Sequence, residues 1–281
     1  MIGYYSADFP QTKTLHIMPL TIATWNINSV RLRLPLLKKL QEAANPDVIC
    51  LQETKVADEL FPLQDIHALG YTHSVFSGEK GYNGVAILSR VPLTQVNRLP
   101  ILDDIIQARH ISAVLPDGVE LHNFYVPAGG DIPDPAENPK FDHKLRFVDA
   151  MRRWFSTHRR SDDKMILVGD LNIAPLEHDV WSHKQLLTVV SHTPVEVEKL
   201  TQLQNAFGWQ DILRQVVSPS KKLYSWWSYR NRDWRKSDRG RRLDHVWATS
   251  SLENRFTQAS ILKDARDWDT PSDHVPVIVT Y

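Results

Sequence analysis

The chain has 281 residues, 42% hydrophobic and 23% charged. These are globular proportions that exclude a disordered, collagen-like or coiled-coil polypeptide and allow one large domain or two small ones. Lys plus Arg and Asp plus Glu total 33 each, so overall charge does not draw the protein to a polyanion; only a local concentration of cations can. No apolar run approaches the roughly 18 residues that span a bilayer, and the N-terminus MIGYYSADFPQTKTLHI lacks the basic start and apolar stretch of a signal peptide. A soluble, intracellular protein with no membrane contact is expected.

Residues 1–17 carry neither strand nor helix period and are expected to be disordered or loosely attached, with a natural start at Met18 as an alternative; residues 18–281 read as a single domain. Strands are predicted at LTIATWNI (20–27), DVICLQE (47–53), GVAILS (84–89), ISAVL (111–115), VELHNFYV (119–126), MILVGDLNI (165–173), LDHVWAT (243–249) and VPVIVTY (275–281). The single cysteine, Cys50, lies inside the second run and reads as a small buried hydrophobe, which leaves no disulfide framework and no Cys-rich zinc site. LPLLKKLQEAANP has helical spacing, with Pro35 in the first turn and Asn45-Pro46 at the end, and HKLRFVDAMRRWFSTHRR predicts a second helix. Between strands, AGGDIPDPAENPKF (128–141) is too constrained for a helix and reads as a loop that faces a ligand. Strands joined sometimes by helices and sometimes by turns such as LPDG (115–118) indicate an α/β protein with mixed sheets.

Two stretches concentrate positive charge. Lys140 to Arg160 carries seven basic residues against two acids and reads as a solvated face; Lys221 to Arg242 carries nine against two, interleaved with Tyr224, Trp226, Trp227, Tyr229 and Trp234. Aromatic rings set among phosphate-neutralising cations are what a nucleic-acid contact needs. Of the paired tryptophans, Trp227 is the better candidate for the core.

Several apolar strands end in acids or amides: Asn26 and Asn28, Glu53, Asp170 and Asn172. Ser272-Asp273-His274 and Leu243-Asp244-His245 stand at the starts of two more. If these ends share one rim, the oxygen-rich set suits Mg²⁺ or Mn²⁺ rather than zinc.

TWNINSVRLR (24–33), LQETK (51–55), GYNGVAILSR (81–90), NFYVPAGG (123–130), GDLNIAP (169–175), GRRLDH (240–245) and SDHVPV (272–277) stand in the order found in the exonuclease III family of apurinic/apyrimidinic endonucleases, which the chain resembles from Met18 onward. The resemblance implies a four-layer α/β sandwich of two mixed β-sheets flanked by helices. It implies a Mg²⁺-dependent (or Mn²⁺-dependent) catalytic domain that cuts double-stranded DNA 5′ to abasic sites and leaves a 3′-hydroxyl, with removal of nucleotides or blocking groups from 3′ ends, and a monomer. By motif position Glu53 is the primary metal carboxylate, with Asn26 and Asp273 beside it, Asn28 nearby and Lys55 close to the phosphate or the carboxylate. Asp170 deprotonates the attacking water, Asn172 positions it, Asp244 aligns His274 on a non-bridging oxygen, and Tyr125 points at the scissile phosphate. Whether one metal operates or two stays open, since Asp170, Asn172 and His274 are also the ligands of a second ion in the alternative scheme. Trp226, Leu243 and Arg241 are the substrate-pocket candidates.

The chain departs from the family pattern at two places. Ala128-Gly129-Gly130 stands where an Asn or Gln commonly follows the YVP or YFP motif, so glycine N–H groups, Gly129 among them, would have to replace a side-chain amide. Arg241 stands where some relatives have tryptophan. The same fold acting on RNA or a phospholipid headgroup, and a non-catalytic DNA-binding scaffold, are the competing expectations; the basic, tryptophan-bearing loop argues against the first and the full acid and histidine set against the second.

Overall fold

The computed structural model describes residues 19–99, 105–231 and 233–281. The loose segment expected over 1–17 and the alternative start at Met18 lie outside the described residues. β1 (Thr21–Asn26), β2 (Val48–Gln52), β3 (Val75–Ser77) and β4 (Val85–Ser89) begin a first sheet; β5 (Thr94–Asn97), β6 (His110–Val114), β7 (Glu120–Tyr125), β8 (Met165–Asp170) and β9 (Gln210–Asp211) begin a second. After a two-stranded ribbon, β10 (Trp226–Trp227) and β11 (Gly240–Arg241), strand β12 (Asp244–Ala248) returns to the second sheet, while β13 (Gln258–Ile261) and β14 (Val277–Thr280) complete the first. The sheets run β13-β14-β1-β2-β4-β3 and β5-β6-β7-β8-β12-β9.

Each sheet has one parallel pair at its centre, β1 with β2 and β7 with β8; the other pairs are antiparallel. A parallel pair needs a crossover, and the helices α1 (Leu34–Ala44) and α3 (Pro139–His158) supply it. Around them stand α2 (Leu63–Ala68), α4 (His183–Leu186), α5 (Pro194–Phe207), α6 (Ile212–Val216) and α7 (Trp234–Ser237). Ile22, Cys50, Val85 and Ile87 of the first sheet meet Ile111, Leu121, Ile166, Val168 and Val246 of the second in a dry central core. Leu36, Leu37 and Leu40 of α1 cover the outer face of the first sheet, and Val148, Met151 and Phe155 of α3 with Leu200 and Leu203 of α5 cover the second. The result is the four-layer sandwich. Burial pushes the Cys50 thiol well above its ordinary pKa, so it is an inert packing group.

Two helical features differ from expectation. The loop read over 128–141 ends early, because Asn138 caps Lys140 N–H at 3.0 Å and Pro139 opens α3. Helix α5 was not expected, although Thr193 and Glu196 form a capping box around Pro194 and Gly208 ends the helix at φ 68°.

Register decides where the chemistry lies. Tyr125 pairs with Asp170 across β7 and β8, Asp244 with Asp170 across β12 and β8, and Asn26 with Gln52 across β1 and β2. All these polar tips therefore lie on one rim, while the turn around Pro116–Gly118 joins β6 to β7 at the far end of the same strands. Near the rim a polar tie crosses the core: Gln52 Nε2 donates to Thr24 Oγ1 (2.9 Å) and Asn123 Oδ1 (2.7 Å), and Asn123 Nδ2 donates to the Leu51 and Ala86 carbonyls at 2.9 Å. A buried amide network of this kind, here with Gln52 Oε1 left without a partner, locks the relative position of the sheets more than it adds stability.

Among the described residues no helix is long and apolar enough to cross a membrane. His245, fully buried on β12, donates Nε2–H to the Ile173 carbonyl at 2.8 Å, and burial, reinforced by the Arg242 charge, holds its pKa down at about 4. A folded-state pKa below the unfolded value means stability that is present above pH about 6.5 and lost as pH falls through 4. Urea denaturation is expected to show up to about 3 kcal/mol of loss from this group over that window, with a flatter pH profile in His245→Gln.

Candidate active site

The ends of β1, β2, β7 and β8 and the starts of β12 and β14 surround a cavity of about 650 Å³. Chain geometry at these ends is unusual: Asn28, Glu53, Lys55 and Asn172 all adopt left-handed backbone, at φ 48°, 54°, 52° and 54°. Such conformations are disfavoured for residues with a Cβ and gather where a strand is turned abruptly to aim a side chain. Asn26, Glu53, Tyr125, Asp170, Asn172, Asp273 and His274 line the cavity together with Trp226, Arg241 and Leu243.

Asp170, only 1% exposed, is held from three directions. Asn26 Nδ2 donates to it at 2.9 Å, Asn172 backbone N–H at 2.9 Å and Asn172 Nδ2 at 3.1 Å. His274 stands between two acids, its Nδ1 on Asp244 Oδ2 at 2.8 Å and its Nε2 3.7 Å from Asp170 Oδ2. Ser225 Oγ also donates to Asp244 Oδ2 (2.6 Å) and accepts the Leu243 and Asp244 N–H groups at 3.1 Å. Asp244 thus serves to fix the ring, and Ser225, which sequence reasoning did not single out, fixes Asp244.

On the other wall Tyr125 OH donates to Glu53 Oε1 at 2.7 Å. Trp226 Nε1 and Asn28 Nδ2 donate to the two oxygens of Asp273 at 2.9 and 3.2 Å. Lys55 Nζ reaches Asn28 Oδ1 at 2.6 Å and lies 3.6 Å from Glu53, so Asn28 and Lys55 stand behind Glu53 and Asp273 rather than on the cavity wall. Gly129 is not on the wall either: a Cβ there would meet Lys144 Cδ at 2.8 Å, and its neighbours Ala128 and Gly130 are the lining residues. Trp227 is 1% exposed and belongs to the core, as expected.

Burial raises the Asp170 carboxyl above the usual carboxylate range, opposed by the His274 charge and reinforced by Asp244. Burial alone would lower His274, but Asp244 and then Asp170 overcome it and raise the imidazole above its ordinary value. Asp273 is lowered: burial opposes ionisation, while His274, Trp226 and Asn28 stabilise the carboxylate. Tyr125 is pushed up by burial and by Glu53 and Asp170, so the phenol stays a proton donor. The rim therefore sets a carboxyl that ionises reluctantly beside an imidazole that its acidic neighbours keep protonated.

Lys140 to Arg160 is only partly the solvated face expected. Arg146 pairs with Asp142 at 2.8 Å and Arg160 with Asp162 at 2.9 Å on the surface, but Lys144 is fully buried. Its Nζ contacts Glu196 Oε1, donates to the Asn172 carbonyl at 2.8 Å and reaches the Ala128 carbonyl at 3.3 Å. Glu196 in turn accepts from Ser191 and Thr193 N–H. This pair pins three loops behind the cavity. Its sequence signal was a lysine on the apolar stripe Phe141, Val148, Met151, Phe155 of α3.

The Endonuclease/Exonuclease/phosphatase family model matches residues 23–274. The chain belongs to this family. Exodeoxyribonuclease III of Haemophilus influenzae is 31% identical over 264 residues, covering 90% of this chain and 97% of that protein. The AP endonuclease structure from Archaeoglobus fulgidus superposes with a TM-score of 0.86 at 32% identity, covering 92% and 98% of the two chains. The 3′ phosphatase NExo from Neisseria, solved with a product DNA hairpin, gives 0.83 at 32% identity with the same coverage. Within the endonuclease/exonuclease/phosphatase family the chain is therefore an enzyme of the exonuclease III-like AP endonuclease branch.

The family implies a divalent ion, and the donors present fit one. Asp170 and Asp244 bring carboxylate oxygens close together, and Asp244 Oδ1 is buried without a hydrogen-bond partner, whereas His274, protonated between them, could join as a ligand only by losing a ring proton. Glu53, Asp273 and the Asn26 amide add an oxygen set of the kind Mg²⁺ and Mn²⁺ prefer.

Two outcomes are expected. At pH 8, NMR of the metal-free protein should show both ring protons on His274, because a raised folded-state pKa keeps its stabilising charge in full below pH about 6.5 and well into the alkaline range. Asp244→Asn should return the ring to the neutral form. Lys144→Met should lower unfolding free energy by about 3–5 kcal/mol by stranding the Glu196 charge, with Lys144→Met combined with Glu196→Gln, which keeps an acceptor for the Ser191 and Thr193 N–H groups, regaining much of the loss; equal melting of the single and double variants would argue against the pair.

Proposed function

We propose that the protein is a divalent-metal-dependent DNA-repair nuclease that hydrolyses the phosphodiester 5′ to an abasic site, leaving a 3′-hydroxyl, and that also removes nucleotides or blocking groups from 3′ ends. The observation that carries this reading is the meeting, in one cavity, of the Asn26–Asp170–Asn172 cluster, the Asp244–His274 pair and the Tyr125–Glu53 contact. The exodeoxyribonuclease, AP endonuclease and 3′ phosphatase relatives support DNA as the substrate.

In this reading Asp170 takes the proton of the attacking water, its raised pKa making it a competent acceptor near neutrality. Asn172 holds Asp170 and the water in line, and the His274 imidazolium, oriented by Asp244, neutralises a non-bridging oxygen. Tyr125 donates toward the phosphate. Glu53, Asp273 and Asn26 would hold the metal, which when bound supplies charge neutralisation at the phosphate and the leaving alkoxide. Lys55 and Asn28 orient Glu53 and Asp273 from behind. Trp226 and Leu243, both on the cavity wall, would receive the sugar of a residue already lacking its base, which is extruded at lower cost than a stacked nucleotide. The alternative, in which Asp170, Asn172 and His274 hold a second ion, requires His274 to give up the Nε2 proton that its two acidic neighbours favour.

The test is digestion of an end-labelled duplex carrying one central abasic analogue, with an intact duplex as control. Asp170→Asn is expected to lower kcat about 1,000-fold or more while DNA affinity stays within severalfold, because the general base is lost and the phosphate clamps remain. Near-wild-type turnover in that variant would remove Asp170 from the reaction, and full cleavage in excess chelator would remove the metal.

A further inference from the structure

Five of the nine cations between Lys221 and Arg242 fall into two groups. Arg242 is buried against Asp179 (2.8 Å) and Asp211 (2.6 Å), and Arg235 pairs with Asp264 (2.9 Å) and with Asp267. Arg230, Arg239 and Arg241 instead line the cavity, and among the described residues no carboxylate pairs with any of them. The Arg239 guanidinium lies 4.7 Å from the centre of the Trp181 ring and that of Arg241 5.2 Å from the centre of Trp226.

Arg241 is the most constrained of the three. Half-buried, it spends Nη1 on the Val190 carbonyl (2.9 Å) and Ser191 Oγ (2.7 Å), while its Nε–H is shielded from solvent with no acceptor. The shielded Nε–H is closed to a ligand, which leaves Nη2 as the unpaired, accessible donor, and a partly desolvated cation that no carboxylate neutralises is costly until an anion binds it. A guanidinium laid on an indole keeps its N–H edge in plane and free, and that edge is the one that grips phosphate. The Trp226 indole also spaces Arg241 from the acids, since its Nε1–H holds Asp273 at 2.9 Å. The cavity thus has an acidic pole at Asp170 and Asp273 and a cationic pole at Arg241.

We propose that the cationic pole is a second phosphate subsite, which takes the phosphate on the 3′ side of the residue in the pocket while the scissile phosphate lies at the acidic pole. The proposal rests on the abasic-site reading and refines its substrate class. A slot walled by Trp226 and Leu243 alone selects for a missing base; with Arg241 added it also selects for a strand that continues beyond the gap. Internal abasic sites then gain a contact that an end terminating at the scissile phosphate lacks.

The test deletes the anion from the substrate and the cation from the protein. Two duplexes share one central abasic analogue and differ only in a methylphosphonate replacing the phosphate 3′ to it; each is cut by the full-length wild type and by Arg241→Gln with added Mg²⁺. Either change alone is expected to lower kcat/KM about tenfold, and both together little more than one alone, because they remove the same contact. Multiplicative losses would overturn the proposal, and so would a wild type indifferent to the methylphosphonate. If Arg241→Gln melts below the assay temperature, the wild type on the two duplexes decides alone. A wild type that leaves both abasic duplexes intact while trimming 3′ ends of the control overturns the parent reading and this subsite together.

Discussion

An imidazole wedged between two buried acids governs the rest of this rim. Asp170 and Asp244 are almost or wholly out of solvent, and two acids so placed are tolerated because His274 stands between them and Asn26, Asn172 and Ser225 donate to their oxygens. The arrangement requires β8, β12 and the approach to β14 to hold their tips in register across two different sheets. The Gln52–Asn123 tie and the Trp25 Nε1 contact to the His274 carbonyl at 3.0 Å meet that requirement. Central packing, crossover helices and the inter-sheet amides therefore all act on one quantity, the separation of a few oxygens and one nitrogen.

Much of this was legible in the residues. Short continuous apolar runs locate the principal strands to within about three residues, since a strand buried on both faces reads as an unbroken apolar stretch. The polar tips were visible for the same reason: an acid or amide closing an apolar run marks where a strand leaves the core. Short edge strands such as β3 and β5 were not legible, because β3 is only partly buried and β5 mostly exposed, leaving little apolar pattern. Lys144 was misjudged with its basic neighbours; charge counted along the chain does not reveal which face of α3 a side chain occupies, and its partner Glu196 is 52 residues away. Gly129 lies on the expected loop, with Ala128 and Gly130 on the cavity wall and its own backbone, at φ 91°, pressed against Lys144.

Positive charge also acquires meaning only in three dimensions. A run of nine cations looks uniform in one dimension, yet Arg242 and Arg235 are structural partners of aspartates while Arg230, Arg239 and Arg241 face the cavity. Neutrality of the whole chain is compatible with a polyanionic substrate because the acids neutralise the first group and leave the second.

The far ends of the strands carry a practical implication. The Pro116–Gly118 turn joins β6 and β7 opposite the polar rim; Pro116 is exposed there, while Gly118, at φ 83°, is the position that must stay glycine. A tether, dye or fused domain introduced at Pro116 would be separated from the cleft by the length of the sheet, so the enzyme can be immobilised or labelled for single-molecule work from its own back side.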